Sequence, residues 1–160
     1  MDWKFLFFTA DGRIGRQSFW IGVLILIAVN VVLGWIPLIG WLISLVGIYC
    51  SVCLYSKRLH DMGKSGWLQL IPWGVAAVLM VIGMAIGGMA MMTGWAMHPG
   101  GMYDGGMPGV GWAGMGVFAG LMGLAGLVGL IFLLWMGLTP SEPGANKYGE
   151  PPVTSPLPAA

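Results

Sequence analysis

Phe19-Trp20-Ile21-Gly22-Val23-Leu24-Ile25-Leu26-Ile27-Ala28-Val29-Asn30-Val31-Val32-Leu33-Gly34-Trp35-Ile36 decides the fold. The stretch holds no Asp, Glu, Lys or Arg, and as a helix it is about 27 Å long, close to the hydrocarbon thickness of a bilayer. It ends at Trp35-Ile36-Pro37 with no small-residue cleavage site, so it reads as a retained spanning helix and not as a removable leader. Three further runs of the same kind follow at 38–55, 67–92 and about 112–138. The whole chain agrees with them. Of 160 residues, 58% are apolar, 12% aromatic and only 8% charged, with a mean hydropathy of +0.84, where a soluble domain is about 25% charged. Seven basic and six acidic side chains cannot coat a sphere of this size, which excludes a water-soluble globular fold. The expected class is all-α, an integral membrane bundle of four transmembrane helices over residues 1–138, with an external Gly/Met-rich loop at about 93–112. Prolines at 140, 143, 151, 152, 156 and 158 mark 139–160 as a flexible cytoplasmic tail.

Orientation follows from the cations. Lys4, Arg13 and Arg16 precede the first run, Lys57, Arg58 and Lys64 lie between the second and third, and Lys147 follows the fourth; the other two connections have none. The positive-inside rule then places both termini and the 57–66 loop in the cytoplasm. Aromatic rings bracket each run at the headgroup level: Trp20 and Trp35, Trp41 and Tyr55, Trp67 and Trp95, Trp112 and Trp135. The connection at Pro37 is so short that the first two spans must form an antiparallel hairpin.

Local signals refine the ends. Trp3, Phe5, Phe7 and Phe8 with Lys4 suggest an interfacial segment, and Asp11 is a candidate N-cap for a helix carrying Arg13 and Arg16 on one face. The second span is expected to continue through Asp61 to a left-handed cap at Gly63, with Ser65 capping the third. Gly83/Gly87, Gly116/Gly120, Ala119/Gly123 and Ala125/Gly129 have the four-residue spacing that lets helices approach closely in lipid.

Three patterns carry a resemblance: Phe8-x-x-x-Gly12-Arg13-x-x-Arg16-x-x-Phe19-Trp20, then Lys57-Arg58-Leu59-His60-Asp61-x-Gly63-Lys64-Ser65-Gly66-Trp67, then Asn146-x-Tyr148-Gly149-x-x-Pro152. Together the chain resembles the domain-of-unknown-function 805 family of small bacterial inner-membrane proteins, over about 4–92 and again over 139–152. The middle pattern is the most specific. The 83–116 stretch is longer and richer in glycine and methionine than is usual for that family. The resemblance implies a bacterial inner-membrane location and a multi-span helical fold, and no reaction.

The strongest constellation for function is Arg13, Arg16, Arg58, His60, Asp61 and Lys64, with Lys57, at the cytoplasmic ends of the first three helices. It is a candidate binding patch for an anionic group such as a lipid phosphate. The plain alternative is that the cations fix topology and that Arg58 and Asp61, three apart, form a structural pair. Asp61 is the sole carboxylate between Asp11 and Asp104, which makes it the natural counter-charge to Arg13 and Arg16. His60 and Asp61 are not oriented toward each other by adjacency on a helix, so no catalytic pair follows from them. Gly63-Lys64-Ser65 imitates the end of a phosphate-binding loop but lacks its first glycine and its strand.

Cys50 and Cys53 lie inside an apolar run and read as reduced, small, apolar-like side chains facing lipid or the core. Asn30 reads as an interhelical hydrogen-bonding residue. Methionines from Met80 to Met122 with His98 could present soft ligands to Cu(I), but their irregular spacing favours a biased loop. No metal, cofactor or nucleic acid is expected; the expected partners are the bilayer and either anionic lipid or another membrane protein. Three functions fit in descending order: a non-enzymatic membrane protein whose Arg/His/Asp patch engages lipid or a partner, a small-solute transporter or its accessory, and a lipid-headgroup enzyme. No Asp, Glu, Lys or Arg lies within any of the four runs, which weighs against an ion or proton path.

Overall fold

Glycine and proline set where the apolar runs start and stop being helix. The structure, a computed structural model, describes residues 2–97 and 109–152. A short helix α1 (Trp3–Phe8) is followed by α2 (Arg16–Leu33), α3 (Ile39–Asp61), a 3₁₀ turn at Gly66–Gln69, α4 (Leu70–Met97) and α5 (Gly109–Leu138). The described residues contain no strand beyond an isolated bridge between Asn146 and Gly149. Four helices are long and apolar enough to cross a membrane, Arg16–Leu33, Ile39–Asp61, Gly66–Gly94 and Gly111–Leu138, so the chain is a multi-pass membrane protein.

The chain forms two units, which are described separately: Met1–Gln69 with Leu134–Ala160, and Leu70–Leu133. In the first, α2 and α3 form the expected hairpin. Its turn is tight: Ile39 N donates to the Pro37 carbonyl at 2.8 Å, closing a γ-turn on Leu38 at φ +65°. Gly40 stacks directly on the Gly34 carbonyl, where a Cβ would come within 2.3 Å of the oxygen. Farther along, Gly22 gives way to Leu54, whose Cδ1 would lie 2.7 Å from any Cβ there, and Phe19, Val23, Cys50, Cys53, Leu54 and Leu59 make the core. At the end of α3, Gly63 takes φ +69° and Ser65 Oγ accepts from Trp67 N, as the sequence suggests.

The start of α2 departs from expectation. Asp11 caps nothing: α2 begins at Arg16 on an uncapped Gly15, and Gly12 at φ +95° breaks any helix before it. Arg13 therefore lies in irregular chain and does not share a helical face with Arg16. Asp2 is a true cap, accepting from Lys4 N and Phe5 N at the head of α1.

In the second unit α4 and α5 approach closely through glycine. A Cβ on Gly114 would lie 2.7 Å from the Gly87 carbonyl oxygen, and one on Gly83 would lie 3.0 Å from the Phe118 ring. The Gly83/Gly87 pair thus packs as expected, whereas Gly116, Gly120, Gly123 and Gly129 face open space, because α5 meets α4 through Gly114 and Phe118 instead. Gly114→Val is expected to force the two helices apart at a cost of about 1 to 3 kcal/mol, read as lowered thermal stability in detergent; Gly120→Val, on the open face, is the control and is expected to match the parent.

Candidate functional site

The last turn of a helix leaves its carbonyls without intrahelical partners and carries partial negative charge. Cations meet that need here from other helices. Arg58, wholly buried near the end of α3, donates through Nε to the carbonyl of Met136 at 2.9 Å and through Nη2 to that of Thr139, so it caps α5. Arg16, exposed, donates to the carbonyl of Leu138 at 3.4 Å. Lys57, also wholly buried, donates through Nζ to the carbonyls of Phe5 and Leu6, the latter at 2.7 Å, and sits 4.6 Å from the Phe5 ring centroid. It closes the end of α1 and fastens that helix to α3.

Asp61 is the hub. One carboxylate oxygen accepts from Arg13 Nε at 3.3 Å and lies 3.2 Å from Nη2; the other accepts from Arg58 Nη1 and from the Ser141 hydroxyl. Both arginines and Asp61 are buried. Arg13 spends its remaining donors on main chain, on the carbonyls of Glu142 and Gly144 at 2.7 Å, of Gly149 at 3.2 Å and of Asp61 itself at 3.5 Å. Two guanidinium groups with five donors each are satisfied in this way by one carboxylate and a ring of carbonyls. Arg13, Arg58 and Asp61 are brought together, as the scarcity of carboxylates suggests.

The ring of carbonyls comes from the proline-rich segment, and here the sequence reading needs correction. Residues 139–149 do not hang free as a flexible end. Glu142 N donates to the Asp61 carbonyl at 2.8 Å, and the Asn146 side chain donates to the His60 carbonyl at 3.0 Å and to the Glu142 carboxylate at 2.7 Å. Gly144 and Gly149 take φ of +82° and +123°, the turns that bring their carbonyls to Arg13. Proline rules out helix, not order.

His60 takes no part in the charge cluster. Its ring stacks on Tyr148 with centroids 3.7 Å apart and planes 8° from parallel, and its Nδ1 is buried with no hydrogen-bond partner among the described residues. Below it, Gln69 Nε2 donates to Ser56 Oγ at 2.8 Å. His60 and Asp61 thus face different partners and do not converge. Lys64 is exposed, with Nζ 5.8 Å from the Trp135 ring centroid. Sequence reasoning missed Tyr148, Asn146 and Ser141 as members of this assembly. The signal available was the pattern Asn146-x-Tyr148-Gly149, which had no place in a free tail.

Cys50 and Cys53 are both free and buried. Asn30 bonds within its own helix, donating from Nδ2 to the Leu26 carbonyl at 3.0 Å. His98, Met102 and Met107 lie outside the described residues, so the methionine-rich loop is not among the features described.

Set beside known proteins, residues 7–150 match the family model described as protein of unknown function (DUF805). The uncharacterized protein YiiR of Escherichia coli, in strain K12 and in O157:H7 alike, is 35% identical over 80 residues, which cover 44% of this chain. The matched stretch is 55% of YiiR, so the chain spans about half the length of the curated relatives it matches. No solved structure matches it.

Proposed function

The chain belongs to the DUF805 family, and from that premise we propose a non-enzymatic, multi-pass inner-membrane protein, both termini cytoplasmic, whose exposed cations Arg16 and Lys64 hold anionic lipid headgroups. One observation carries the reading: the cations at this end fall into two sets. Arg13, Arg58 and Lys57 are buried and engaged with carbonyls and Asp61, whereas Arg16, Lys64, Lys4 and Lys147 lie exposed, and of these Arg16 and Lys64 sit against the last turn of α5, at Leu138 and Trp135. The buried set, with Asp61 and with His60 stacked on Tyr148, builds the end of the bundle; the exposed set is left to meet the headgroups. Basic side chains beside an anionic leaflet each contribute about 1 kcal/mol to that attraction, so two contribute about a 30-fold preference.

Arg16→Ala with Lys64→Ala is therefore expected to lower the occupancy of one phosphatidylglycerol or cardiolipin per chain about 30-fold in native mass spectrometry, with thermal stability within about 1 kcal/mol of the parent's, since the exposed Arg16 bond to the Leu138 carbonyl contributes little. Retention equal to the parent's would remove the lipid reading. Orientation is tested separately by reporter fusions: one after Gly105 is expected to be active only as an external reporter and one after Lys147 only as an internal one.

A further inference from the structure

The first unit carries a groove that none of the charge cluster uses. About 310 Å³ in volume, it is walled by Phe7 and Phe8 of α1, by Ile25, Leu26 and Val29 of α2, and by the Leu42 to Cys50 face of α3, with Asn30 beside Gly47 toward its far end. Asn30 donates from Nδ2 to the Leu26 carbonyl of its own helix, and the surface the groove presents to a guest is apolar. Its length along α3, the eight rises between Leu42 and Cys50, is about 12 Å. Water has nothing to bond to in such a space.

We propose that the groove seats one acyl chain of an anionic phospholipid whose headgroup is held by Lys4. The proposal rests on the lipid-contact reading above and names a second, independent lipid position. The chemistry of the two ends is complementary to such a molecule. Lys4 is exposed on α1, three and four residues before Phe7 and Phe8, which places it on the face of α1 that borders the groove. The neighbouring Asp2 carboxylate is engaged at the head of α1, accepting from the backbone of Lys4 and Phe5. α1 itself is fixed in place by Lys57 beneath it and by Tyr49, whose hydroxyl donates to the Phe8 carbonyl at 3.3 Å. An acyl chain gains no hydrophobic free energy on leaving bulk lipid for an apolar groove, because lipid tails are as apolar as the wall. Selectivity must then come from filling the void and from the cation at its mouth, and this determines the test.

The full chain is reconstituted in nanodiscs of equal phosphatidylglycerol and phosphatidylcholine, released into mild detergent and read by native mass spectrometry. Beside any lipid held at Arg16 and Lys64, the parent is expected to keep one phosphatidylglycerol per chain in the groove. Val46→Trp, on an exposed part of the wall, fills the groove and is expected to lower that occupancy at least tenfold. Lys4→Glu, at an exposed position that carries no packing, is expected to keep a lipid but lose the preference for phosphatidylglycerol over phosphatidylcholine. Arg16→Ala with Lys64→Ala is expected to leave this lipid in place, so that failure here and failure of the headgroup reading at α5 are told apart. Unchanged occupancy in Val46→Trp, unchanged preference in Lys4→Glu, or a mass addition equal to a polypeptide in place of a lipid would each overturn the proposal.

Discussion

Asp61→Ala is expected to cost about 3 to 5 kcal/mol, because it leaves two buried guanidinium groups without their counter-charge while keeping them out of water. In a chain of this size that loss lowers the unfolding midpoint in detergent by on the order of 10 °C. The geometry explains why the effect is large. Asp61 accepts from Arg13, from Arg58 and from the Ser141 hydroxyl, and all three charged side chains are buried. Asp61→Asn keeps the shape and one acceptor, so it separates charge from size: it is expected to fall between the parent and the alanine variant. Glu150→Ala, at an exposed position, is the control and is expected to stay within about 0.5 kcal/mol of the parent. A midpoint for Asp61→Ala equal to that control would mean the cluster contributes nothing to the fold.

Ending the chain after Thr139 is the second large effect. The truncation removes the carbonyls of Glu142, Gly144 and Gly149 from Arg13, and the Ser141 hydroxyl from Arg58 and Asp61. Stranding buried donors costs about 1 to 3 kcal/mol for each group left unpaired, and more where the group is charged. The loss is expected to be comparable to that of Asp61→Ala. Since both changes act on one network, the combined variant is expected to be less unstable than the sum of the two, a coupling that a double-mutant cycle in detergent measures directly. Strict additivity would show that the segment and the cluster are independent.

The contrast between these partners explains what could be read without the fold. The four spans were legible because bilayer thickness imposes a length on apolar runs, and α2 to α5 follow those runs to within about five residues, with α3 running on to Asp61 as its charged last turns and Gly63 indicate. Asp61 was legible as a counter-charge because carboxylates are so few. The rest of the cluster was not, because Arg13 bonds mainly, and Arg58 in half of its bonds, to backbone carbonyls, which every residue carries and no sequence marks. The same applies to residues 139–149, where proline composition suggests freedom but two positive-φ glycines and Asn146 impose a path. Arg13 was misplaced on a helix because the break at Gly12 depends on a conformation that glycine permits but does not announce.

The order in which the cluster's parts leave the ribosome has a consequence for biogenesis. Arg13 is made first, Asp61 48 residues later, and the Gly144 and Gly149 carbonyls 131 and 136 residues after Arg13. Every spanning helix is therefore synthesised and available for insertion before the donors of Arg13 can all be met. A nascent chain halted after the fourth span leaves Arg13 without the carbonyls of Glu142, Gly144 and Gly149, a chemical mark of incompleteness that the later residues remove.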